Sequence, residues 1–186
     1  MTSIIKADNI STVAGTGTIT IPSGVKIVGT DAASIVAPGS IIQTISGGAF
    51  TSTVSVSSTT FIGSGHIISI IPKQNNSKFL IRLSGGGWYD NSIASNTMWV
   101  TFYRSINGSA YSSISGIDAT YGLLRMSGDG NTWNIKPYSA EWLDTTVASA
   151  GDNVSYQVYV RVNANSSQYN ASDRGTPVLI IQEIAQ

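Results

Sequence analysis

The chain has 186 residues, with ten basic and ten acidic side chains, one His and no Cys. Charged residues make up 11%, where roughly a quarter is usual, while the apolar share of 41% is ordinary, so Ser, Thr, Asn and Gly take the place of charge. This excludes a disordered chain, a nucleic-acid binder that works by neutralising phosphates, a disulfide scaffold, a Cys nucleophile and a multi-His metal site.

Residues 1–40 differ from the rest. Thr18-Ile19-Thr20-Ile21 and Val25-Lys26-Ile27-Val28 read as two tiny strands with Gly-rich joints, and no aromatic residue precedes Phe50. A segment without large side chains cannot make its own core. It is therefore predicted to be an extended N-terminal arm that orders against another protein. Fully extended, it would reach up to about 130 Å. The start lacks the basic and apolar regions of a signal peptide, and no run is apolar enough to span a membrane. The expectation is a protein made in a cytoplasm, with no membrane insertion.

Residues 41–186 are predicted to form one head domain. Residues 66–71 are an Ile-rich run stopped by Pro72, and 73–77 read as a polar turn. Phe79, Ile81 and Leu83 alternate with Leu80 and Arg82, and Gly85-Gly86-Gly87 is expected to end that strand. In 98–103, Met98, Val100 and Phe102 oppose Trp99, Thr101 and Tyr103; both sets are bulky, so both faces are expected to be covered. Asn107-Gly108 is a strong hairpin signal and 128–131 a second. Residues 140–143 are weakly helical and read as loop. Val154, Tyr156, Val158, Val160 and Val162 alternate with Ser155, Gln157, Tyr159 and Arg161, the period-2 signature of a strand with one buried face. A polar loop is expected over 163–175. The apolar run 178–184 reads as a strand covered on both sides. About eight to ten short strands with this spacing predict an all-β, antiparallel β-sandwich of jelly-roll type.

Few residues suggest catalysis. His66 could act as a general base, but its place at the start of a strand fits a structural histidine better. Glu141 and Asp144 could form a carboxylate pair for glycosidic cleavage; solvation, or pairing with Lys136, is the plainer reading. Asp129-Gly130-Asn131 lacks the further carboxylates of a calcium loop. Gly15-Thr16-Gly17 has no following helix or Lys and is no phosphate cradle. No catalytic residue, metal or cofactor is expected. Trp88, Tyr89, Trp133, Tyr138 and Trp142 lie in or beside predicted loops. Trp88, Tyr89, Trp133 and Trp142 are candidate glycan-stacking residues; the competing reading places them at core ends or a subunit interface.

Three segments together resemble a family. Ser3-Ile4-Ile5-Lys6-Ala7-Asp8-Asn9-Ile10 with Ala14-Gly15-Thr16-Gly17-Thr18-Ile19-Thr20-Ile21-Pro22-Ser23-Gly24 is similar to the N-terminal arm of virion structural proteins from tailed marine and cyanobacterial phages. So are Ile41-Ile42-Gln43-Thr44, Ser57-Ser58-Thr59-Thr60-Phe61, Ile70-Ile71-Pro72 and Ser77-Lys78-Phe79-Leu80-Ile81, and the ending Leu179-Ile180-Ile181-Gln182-Glu183-Ile184-Ala185. The resemblance implies a head similar to tumour-necrosis-factor-like or C1q-like jelly rolls, assembled as a homotrimer on the virion surface. It carries over no catalytic residues.

Leu179, Ile181 and Ile184 are the expected trimer-interface residues, with Gln182 and Glu183 near the axis end or paired with Arg161 or Arg174. The partners expected are the chain itself as a homotrimer and a capsid or tail adaptor protein bound through 1–40. The functional expectation is a non-enzymatic capsid-decoration knob or short fibre. A tail fibre or receptor-binding module touching host surface glycan is the alternative, and a depolymerase using Glu141 and Asp144 comes third.

Overall fold

The structure is a computed structural model that describes residues 23, 36–90, 96–128, 134–146, 148–170 and 176–186, with only the backbone of 89–90 and 134–136. Most of the expected arm, and the Asp129-Gly130-Asn131 turn, lie outside these residues. The described chain is all-β. In order it forms β1 (Ile41–Ala49), β2 (Val54–Val56), β3 (Ile62–Ile70), β4 (Lys78–Asp90), β5 (Thr97–Ile106), β6 (Ser112–Ser113), β7 (Leu124–Ser127), β8 (Asn134–Asp144), β9 (Val154–Val162), β10 (Ser167–Tyr169) and β11 (Val178–Ile184).

Two antiparallel sheets face each other. The first runs β1-β11-β4-β8, with β10 and β2 extending it beside the far half of β4; the second runs β3-β9-β5-β7, with β6 on the edge of β5. Successive long strands switch sheets at every connection except that between β5 and β7. This is the strand order of a jelly roll, an antiparallel sandwich of two Greek keys. The alternation in the sequence explains the layers. Phe79, Ile81 and Leu83 of β4 and Leu179 and Ile181 of β11 point inward. They meet Val100 and Phe102 of β5 and Val154, Tyr156, Val158 and Val160 of β9, all essentially inaccessible.

Register places the strand ends at two poles. Ile41 pairs with Ile184, Ile184 with Lys78, and Phe79 with Asp144 at one pole. The entry of the chain lies here: Gly39 N donates to Ala185 O and Ala185 N to Ser40 O. At the other pole lie the strand ends that flank 91–95, 129–133 and 171–175.

Several local expectations change. Gly85-Gly86-Gly87 does not end a strand. Gly85 and Gly86 take φ of +83° and +80° and form a bulge within β4, where a side chain at Gly86 would strike Tyr138 Oη at 2.7 Å. The strand then continues to Asp90. Residues 140–143 belong to β8, and the polar segment 163–175 contains β10. The Asn107-Gly108 turn forms as expected, with both residues at positive φ and Ser109 N donating to Ile106 O.

Candidate functional site

Among the described residues, the expected site residues do not come together. Beyond the bulge, β4 turns Trp88 into the core, where it is fully buried, so it cannot stack on a sugar. Tyr138 and Trp142 sit on the inward face of β8, Tyr138 buried and Trp142 partly so. The side chain of Tyr89 and all of Trp133 lie outside the described residues. Leu179 and Ile181 fill the interior of the sandwich, which makes them core rather than interface. Of the three expected interface residues, Ile184 alone lies on the outer face, half-buried.

The expected charge positions also change. Glu183 is fully buried and pairs with no arginine among the described residues. Its carboxylate accepts hydrogen bonds from Lys73 N, Gln74 N, Ser77 Oγ and Gln43 Nε2 at 2.6 to 3.2 Å, which pins the β3–β4 turn to the last strand. Arg174 lies outside the described residues. Glu141 and Asp144, three apart on one strand, project to opposite sides of the sheet. Glu141 is exposed and paired with Arg82 at 2.6 Å. Asp144 is buried, 2.5 Å from Arg104 Nη1, and accepts a hydrogen bond from Tyr156 Oη at 2.9 Å. Burial, then the Asp144 charge, pushes the Tyr156 phenol well above its usual range, so it remains a donor. Two carboxylates so placed cannot flank one glycosidic bond.

His66 is buried on the inward side of β3. Its ring stacks on Phe50 at 4.5 Å, and Nδ1 lies 3.0 Å from Tyr169 Oη. Burial lowers its pKa to about 4, so at neutral pH it is an uncharged core side chain.

A built surface feature lies on the outer face of the second sheet. Trp99, Thr101 and Tyr103 of β5 project there beside Tyr159 and Arg161 of β9, because both strands turn their even-numbered residues inward. Tyr103 and Tyr159 stack at 4.0 Å between ring centroids, with Tyr111 tilted against Tyr159. The Arg161 guanidinium lies 4.0 Å from the Trp99 ring centroid and 5.4 Å from that of Phe61.

Two loops wall this face. Arg161 joins them: Nε donates to Thr120 O at 2.8 Å, Nη2 donates to the same carbonyl, and Nη1 donates to Thr59 O at 3.3 Å. Each loop is also fixed internally. Ser58 Oγ donates to Thr60 O and accepts from Thr60 N. The Asp118 carboxylate accepts from Thr120 N and Tyr121 N, both at 2.7 Å. Gly122, at φ +65°, brings its backbone against β5, where a Cβ would lie 2.8 Å from Val100 O. Between the loops is a shallow cleft of about 390 Å³ lined by Thr59, Thr60, Phe61, Tyr103, Ala119, Thr120 and Arg161. The alternation of 98–103 and 154–162 was a sign of this face, since it put aromatic residues on both sides of β5.

The outer face of the first sheet is chemically different. Ile41, Ile180, Ile184, Leu80 and Leu143 project there, with Ile41 56% and Leu143 42% exposed. The Arg82–Glu141 pair crosses the same face.

No protein-family model matches the chain, and no curated protein matches it. Among solved structures, the chain is similar to Eiger TNF from S. frugiperda at 15% identity, over 81% of this chain and 95% of that one, with a TM-score of 0.37.

Proposed function

We propose that the chain is a non-enzymatic structural protein of a phage virion, a trimeric knob or short fibre held to the capsid surface through residues 1–40. The observation that carries this reading is the aliphatic outer face of the β1-β11-β4-β8 sheet. Uncovered, a row of Ile and Leu side chains on a low-charge protein is an association surface, and closed symmetry covers it without leaving an edge for further growth. Ile41, Ile180 and Ile184 take the interface role first expected of Leu179 and Ile181. Entry of the chain at one pole, beside Ala185, suits a tether that leaves the rest of the sandwich projecting. The resemblance of the first 24 residues to phage virion arms supplies the virion context.

Immunogold labelling of intact particles tests the location, with label on the capsid surface expected. Deleting residues 1–38 should leave a trimer that no longer binds particles; normal decoration by that truncation would remove the tether. A second reading, a tail fibre or receptor-binding module, is favoured by the aromatic cleft on the other sheet. Label confined to the tail would select it.

A further inference from the structure

We infer that the cleft between the 58–61 and 118–122 loops is a binding site for an acidic saccharide, a pyranose unit that carries a carboxylate. The inference concerns the cleft alone and holds wherever the knob sits on a particle.

Each part of such a ligand has a counterpart. Phe61 and Tyr103 offer ring surface for the apolar C–H face of a pyranose. Thr59, Thr60 and Thr120 are exposed around the same cleft, and their hydroxyls both donate and accept, as sugar hydroxyls require. At about 390 Å³ the space falls within the range of small-ligand sites.

The charge selects among sugars. Arg161 has no carboxylate within ion-pair distance among the described residues. Among the described residues its hydrogen bonds engage Nε, Nη1 and Nη2 once each, which leaves two of the five guanidinium N–H groups. Arg125 pairs in register with Trp99 on the same face, is exposed, and likewise has no ion pair among the described residues. Asp118 spends one carboxylate oxygen on two backbone N–H groups. Two arginines against the one Asp118 carboxylate leave a net positive charge beside the aromatic rings. A carboxylate would receive charge-assisted hydrogen bonds there.

The walls are fixed before any ligand arrives. The Arg161 clasp, the Ser58 contacts and the Asp118 turn hold both loops, so binding need not order them. Trp99, buried beneath this face, also has an Nε1–H without an acceptor among the described residues.

Isothermal titration calorimetry on the full chain tests the site with three probes: a galacturonate oligomer, a sialylated trisaccharide and neutral maltotriose. At least one carboxylated probe should bind, at least tenfold more tightly than maltotriose, and more weakly as salt rises. Tyr103→Ala should weaken binding about tenfold while leaving the circular dichroism spectrum unchanged. Arg161→Gln should abolish the preference for acid over neutral sugar; should that variant unfold the loops, Arg125→Gln provides the charge test and should reduce the preference. Absence of binding by both carboxylated probes would overturn the assignment. So would equal affinity for maltotriose, or unchanged binding by Tyr103→Ala. If the wild-type chain self-associates and Tyr103→Ala disperses it, the cleft is an interface between copies, and the saccharide assignment fails.

Discussion

The two outer faces of the sandwich cover the same core but use different chemistry. Across β1-β11-β4-β8 the outward residues include Ile41, Ile180, Ile184, Leu80 and Leu143, beside Lys78, Thr44, Gln182 and the Arg82–Glu141 ion pair. Across β3-β9-β5-β7 they include Trp99, Tyr103, Tyr159 and Arg161, walled by two cross-linked loops, with Ile67, Ser69 and Ser155 on the same face. Aliphatic side chains on a flat sheet favour contact with a matching surface. Aromatic rings around a fixed guanidinium favour a small polar ligand. Under the proposed functions, assembly falls to one face of the sandwich and recognition to the other.

The largest change should come from the buried tie that both faces share. Asp144 on the first sheet meets Arg104 and Tyr156 on the second. Asp144→Ala strands a buried cation and should cost about 3–5 kcal/mol in urea denaturation. If only one face failed, the faces would be less dependent on a common core than this structure implies. A smaller and one-sided loss is expected for Arg161→Ala. It removes two cation–π contacts and the clasp between loops, at about 2 kcal/mol, while the mass of the assembly stays unchanged. Limited proteolysis should then cut first in 118–122.

The smallest effect is on acid stability. His66 has a folded pKa of about 4 against an ordinary 6.5, so the unfolded chain binds the extra proton between those values. Its contribution to stability is therefore complete above pH 6.5 and declines as pH falls toward 4. By pH 5.5 the loss should be about 1 kcal/mol. His66→Gln should flatten the urea midpoint between pH 7 and 5.5. An unchanged pH profile in that variant would mean that His66 is not the titrating group.

Much of the fold could be read from period-2 alternation. Val154 to Val162, Phe79 to Leu83 and the Asn107-Gly108 turn all lie where the pattern places them. The site was harder to read, for three physical reasons. Glycines that terminate most strands here make a bulge, so Trp88 moves from a predicted loop into the core. The apolar run of β11 looked two-sided, yet alternation still governs it: Leu179 and Ile181 face in, Ile180 and Ile184 face out. The cleft is assembled from residues 59–61, 103, 119–120 and 161, which are far apart in sequence. The backbone carbonyls of Thr59 and Thr120, bound by Arg161, help bring its walls together, and carbonyls leave no trace in a sequence.

The division of labour between faces rests on the first sheet being covered by other copies. Analytical ultracentrifugation at micromolar concentration tests this most directly, on the full chain and on Ile184→Glu. The expected result is a mass of three chains for the wild type and one chain for the variant, with the variant's cleft still binding its ligand. A monomeric wild type, or a trimer that survives Ile184→Glu unchanged, would contradict the assignment of the aliphatic face to assembly.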